Sequence, residues 1–90
     1  MKKDAMITIK TNDSMVLFSV LGDEYRTNSM GEGLWKWEKT GAWLDHEPVY
    51  DWKQILGTCQ FSLMQKTYSG KRKAIYEYFK EDIDYEKKFR

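Results

Sequence analysis

Few residues in this chain are equipped for chemistry, because it holds one histidine, His46, and one cysteine, Cys59. A cysteine nucleophile needs a base within hydrogen-bond reach. Cys59 falls beside Phe61 in a stretch of alternating apolar and polar residues, where a thiol is expected to be an inert core group. Asp45-His46-Glu47 supplies three metal-ligand types in a row. Adjacent residues of a strand point to alternate faces, so these three do not converge on an ion. Gly31-Glu32-Gly33 has the opening spacing of a dinucleotide-binding fingerprint, but lacks the third glycine and the strand–helix setting. A serine elbow, a Gly-Lys-Ser phosphate loop and a His-Glu-x-x-His helix are absent from the sequence. A single cysteine also excludes an intrachain disulfide and a multi-cysteine zinc site. The expectation is a protein with no catalytic residue, no metal and no cofactor: not an enzyme.

Recognition has better candidates. All four tryptophans, Trp35, Trp37, Trp43 and Trp52, lie between residues 35 and 52, with Tyr50 among them. Rings left exposed there would be anchors for a protein interface. The same stretch holds Glu38, Asp45, Glu47 and Asp51, which would repel phosphates and favour a protein partner. A second candidate is hidden by the formal charge of +1. Residues 1–51 carry a net −3, residues 52–76 a net +5 with no carboxylate, and residues 77–90 a net −1. Within the basic block, Lys66, Tyr68, Lys71, Arg72 and Lys73 combine cations with a ring that a base could stack on. With Lys71–Lys73 placed in the first turn of a helix, free N–H groups would add to an anion site. The alternative is a solvated basic turn that offsets acidic loops.

The elements that must carry these residues follow from periodicity. Ile7 to Thr11 and Ser14 to Leu21 read as a hairpin turning at Asn12-Asp13, with Ile9 opposite Val16 and Ile7 opposite Phe18. Residues 22–33 are rich in turn formers and read as a long irregular connection. Leu34 to Lys39 alternates, Thr40-Gly41 is the expected turn, and Ala42 to His46 the return strand. In that register Trp43 falls on the face opposite Trp37. Glu47-Pro48 reads as a helix start, with Val49, Trp52, Ile55 and Leu56 at helical spacing and Gly57 as the stop. The alternation Tyr50, Trp52, Gln54, Leu56 also fits a strand; we read a short helix. Thr58 to Lys66 reads as a strand with Cys59, Phe61 and Leu63 inward. After a break at Ser69-Gly70, Ile75, Phe79 and Ile83 recur every four residues, the stripe of an amphipathic helix; residues 86–90 are expected to fray.

The expected fold is α+β: one domain over residues 1–90, an antiparallel sheet of four to five strands in the order ββββαβα, and a C-terminal helix packed on one face. Leu, Ile, Val and Phe total only 18 of 90 residues, so the large rings must supply much of the buried area. A core this small leaves room for stabilisation by a partner or by a second copy. The N-terminal apolar run, Ala5 to Ile9, is too short for a signal peptide or a membrane span, and one cysteine suits a reducing compartment. Asn12-Asp13-Ser14 matches a glycosylation acceptor pattern without a secretion signal to support it. The expectation is therefore a cytoplasmic, tryptophan-rich, non-catalytic protein-binding module. It would be a small regulator or inhibitor of the kind phages and mobile elements encode. The alternative is a nucleic-acid binder using residues 66–73; no membrane partner is expected.

Overall fold

The protein is described by a computed structural model covering residues 6–10, 15–63 and 67–88. Five strands, β1 (Ile7–Ile9), β2 (Leu17–Val20), β3 (Asp23–Arg26), β4 (Leu34–Leu44) and β5 (Glu47–Leu56), precede two helices, α1 (Tyr68–Tyr78) and α2 (Lys80–Lys88). The strands form one antiparallel sheet in sequence order. Both helices lie C-terminal to it, so the fold is α+β. No helix among the described residues is long and apolar enough to cross a membrane.

Period-two alternation decides the core. Ile7, Val16, Phe18, Val20, Tyr25 and Leu34 are buried on one face. Phe61, Leu63, Ile75, Phe79 and Ile83 close over them. Phe18 stacks on Tyr25 with ring centroids 5.6 Å apart, and Phe79 meets both rings, at 6.3 Å and 4.9 Å. Aromatic pairs of this kind contribute about 1 kcal/mol each beyond the area they bury. The four-residue stripe Ile75, Phe79, Ile83 is wholly buried as expected, but it spans two helices. The backbone departs from helix at Phe79, with ψ at 17°. The hydrogen bonds from Phe79 N to Ile75 O and from Ile83 N to Phe79 O continue through the joint, so the stripe keeps one face.

Several sequence expectations are corrected. In the first hairpin Ile7 lies opposite Val20 and Ile9 opposite Phe18, two residues from the expected register. A two-residue slip leaves every side chain on its own face. The backbone of Val16 is taken by Thr27 instead, through Thr27 N to Val16 O and Val16 N to Thr27 Oγ1. The expected Asn12-Asp13 turn lies outside the described residues. Residues 22–33 are not one connection, because Leu21 and Gly22, at φ of 53° and 90°, make a tight turn into β3. Beyond β3, the Asn28 side-chain oxygen accepts from the N–H groups of Met30 and Glu32 and organises the remaining loop.

The second hairpin turns at Asp45-His46, not at Thr40-Gly41. Both turn residues have positive φ, 51° and 68°, as a two-residue loop matched to sheet twist requires. Gly41 is instead absorbed as a bulge. Thr40, Gly41 and Ala42 stand against Val49 alone, between the pairs Lys39–Tyr50 and Trp43–Pro48. The Thr40 hydroxyl donates to Val49 O at 3.0 Å. Residues 48–56 are strand, not helix; β5 is the sheet edge, where a proline's missing N–H is tolerated. Residues 58–60 form a turn and only an isolated bridge, Ser62 to Glu32, continues the expected strand. Phe61 and Leu63 are buried as expected, while Cys59 is exposed. The described order is therefore βββββαα.

Candidate functional site

The two faces of the sheet have different fates. The face described above is covered by the helices; the residues of the other are half-buried or exposed. Its residues follow from the pairing: Lys10, Leu17 and Arg26 lead to Trp35, then Trp37 opposite Trp52 and Lys39 opposite Tyr50. Trp37 and Trp52 tilt against each other at 5.1 Å, and Trp37 stacks on Tyr50 at 6.0 Å with planes 10° apart. Trp35, Trp37, Tyr50 and Trp52 are thus one row of rings, an arrangement that follows from β5 being a strand and not the expected helix.

Trp43 was expected on the opposite face. The turn at Asp45-His46 keeps β4 continuous through it and pairs it with Pro48, an even-numbered β5 position like Tyr50 and Trp52. Trp43 sits at the end of the β4–β5 hairpin, 68% exposed, beside Leu44 at 67%. From Lys39 to Asp51 every side chain except Pro48 and Val49 is exposed, so this part of the hairpin, with Trp37 and Trp52 at its base, is an exposed arm. It carries the ring row along one face and the exposed Trp43 and Leu44 next to its turn.

Alternation also sorts charge. Glu38 and Asp51 lie opposite each other in β4 and β5, on the face away from the rings. Lys36, also on that face, reaches Asp23 at 3.7 Å and Glu38 at 3.8 Å. The open face keeps Lys10 paired with Glu24, together with Arg26 and Lys39. The acidic neighbours that the sequence interleaves with the tryptophans are therefore not their spatial neighbours, apart from Asp45 and Glu47 at the tip.

Arg26 is the residue sequence reasoning missed. Its guanidinium carbon lies 5.6 Å from the Trp35 ring centre and 5.0 Å from that of Trp52. Its Nε is buried with no hydrogen-bond partner, held between indole faces that attract a cation. The signal lay in β3: once Asp23–Arg26 is a strand, Arg26 pairs with Trp35. Gly33 serves the same cluster. A Cβ on it would stand 2.9 Å from Trp35 Cζ3 and 3.2 Å from Thr58 Cα, and its φ is +72°.

The basic candidates have different surroundings. Lys66 lies outside the described residues. Thr67 caps α1, its hydroxyl accepting from Gly70 N at 3.0 Å, so Ser69-Gly70 is the first turn and no break. This moves Lys71, Arg72 and Lys73 past that turn. Lys71 is buried, at 5% exposure. Arg72 donates to Ile7 O at 3.0 Å, tying α1 to β1. Lys73 and Tyr68 are exposed.

Of the groups considered for chemistry, His46 and Asp45 form the hairpin turn and Cys59 lies in the turn after β5. Among the described residues no three His, Cys, Asp or Glu side chains are grouped to hold a metal. On the helix side, Tyr25 lies beside Asp23 and Asp82. Its hydroxyl is pushed up to about 12, chiefly by burial and then by the carboxylates of Asp23, Asp82 and Glu38. Tyr76 donates to Asp84 at 2.9 Å, and that bond raises its titration as well. Comparison with family models, curated proteins and solved structures finds no match to this chain.

Proposed function

We propose that the chain is a non-catalytic protein-binding module that presents the β4–β5 arm to another protein. The observation that carries this reading is the row Trp37, Tyr50 and Trp52 along one face of the arm, ending in the exposed Trp43 and Leu44. Trp, Tyr and Arg are the residue types that dominate interface hot spots, and Arg26 is set among these rings. Two large apolar side chains, Trp43 and Leu44, held in water beside Asp45 and Glu47 are a cost that binding would remove. In this reading the protein is a small cytoplasmic regulator or inhibitor. Its origin in a phage or mobile element is inferred from its size and composition alone.

The test is affinity capture of the tagged protein from its host, with and without nuclease, beside Trp43→Ser and Trp37→Ser. One protein should survive nuclease treatment and be lost with either variant; each lost ring should weaken binding about thirtyfold or more. A partner released by nuclease would reassign the chain to nucleic-acid binding. A partner retained equally by both variants would overturn the role of the arm.

A further inference from the structure

We propose that the cleft between the β2–β3 turn and α2 binds an organic cation: a primary ammonium or guanidinium group on an aliphatic chain. The cleft has a volume of about 240 Å³ and is lined by Asp23, Tyr25, Phe79, Asp82, Tyr85 and Glu86, with Val20 and Leu21 at its apolar end. It lies on the helix side of the sheet and so stands independently of the reading given for the arm.

Three features converge there. Three carboxylates reach the cleft from separate places: the start of β3 and the first and last turns of α2. Asp23 has Lys36 at 3.7 Å and Glu86 has a partner of its own, while the Asp82 side chain makes no ion pair among the described residues. Tyr25 is more than nine-tenths buried and lines the cleft; among the described residues its hydroxyl makes no hydrogen bond, and it is not sealed from solvent as Arg26 Nε is, so a bound N–H donor could reach it. Three rings, Tyr25, Phe79 and Tyr85, complete the lining, and aromatic faces attract organic cations. A bare metal ion does not suit the site, because no three carboxylates are grouped closely enough to ligate one. An anion is disfavoured by the same charges that help keep the Tyr25 phenol protonated. The volume matches one long side chain or a short free amine rather than a drug-sized ligand.

The experiment follows the ring resonances of Tyr25, Phe79 and Tyr85 by NMR in the full chain. The probes are Nα-acetyl-arginine amide, 1,4-diaminobutane and, as the uncharged comparison, Nα-acetyl-norleucine amide. Saturable shifts with the cationic probes and none with norleucine are expected. Binding should weaken about fivefold in Asp82→Asn, the loss of one partly exposed charge contact. Asp82 is solvent-exposed, so the fold is expected to persist, and Tyr25→Phe tests the phenol separately. Tighter binding of the diamine would identify a free amine as the ligand, and tighter binding of the arginine amide a side chain of another protein; either supports the site. Equal shifts with norleucine, no saturation at tens of millimolar, or unchanged binding in both variants would overturn it.

Discussion

At the scale of single residues, Tyr25 and Arg26 show how adjacent positions in one strand acquire opposite tasks. Tyr25 points into the core between Phe18 and Phe79, and Arg26 points out between Trp35 and Trp52. The Tyr25 phenol titrates near 12 rather than 10. The unfolded chain therefore loses this proton at lower pH than the native state, and the linked stability is constant below pH 10 and falls as pH rises toward 12. A two-unit shift corresponds to about 2 kcal/mol lost by pH 12. Urea unfolding at pH 9 and pH 11.5 should show a smaller loss in Tyr25→Phe than in the native chain. An equal loss in both proteins would mean that the phenol is not held protonated by the fold.

At the scale of elements, the turns decided where sequence reading succeeded. The first hairpin's faces and the Ile75, Phe79, Ile83 stripe are legible because periods of two and four survive small errors of register or helix end. The β4–β5 hairpin is not legible in the same way. Thr40-Gly41 is a stronger turn signal than Asp45-His46, yet it became a bulge because the Thr40 hydroxyl bonds Val49 O and Gly41 accepts a φ of +92°. Glu47-Pro48 likewise carries a helix-start signal that edge pairing overrides. Asp45 and His46 occupy the left-handed region without being glycine, which strains the backbone. His46→Gly should therefore raise stability by about 0.5 to 1 kcal/mol, shifting the thermal midpoint up by about 2 to 8 °C in a domain this size. Circular dichroism melts would check this; an unchanged or lower midpoint would argue against a strained turn.

At the scale of the whole molecule, the sheet separates two surfaces that the sequence interleaves. Trp35, Trp37 and Trp52 alternate with Lys36, Glu38 and Asp51, and the pleat sends rings to one face and these charges to the other. The aromatic half of the candidate site was legible from composition. Its charge environment was not, because that depends on register, and neither was Arg26, because β3 was hidden among turn formers. The basic run 66–73 was legible only as composition. Packing buries Lys71 and ties Arg72 to a strand carbonyl, surroundings that composition does not reveal. The central claim is that the β4–β5 arm meets the partner, and the most direct measurement is an indole N–H footprint. The four Trp signals are followed by NMR as the captured partner is added. Trp37 and Trp43 should shift or broaden first, while the backbone signals of α1 and α2 stay in place. Unmoved Trp37 and Trp43 signals with changes confined to the helices would contradict the account.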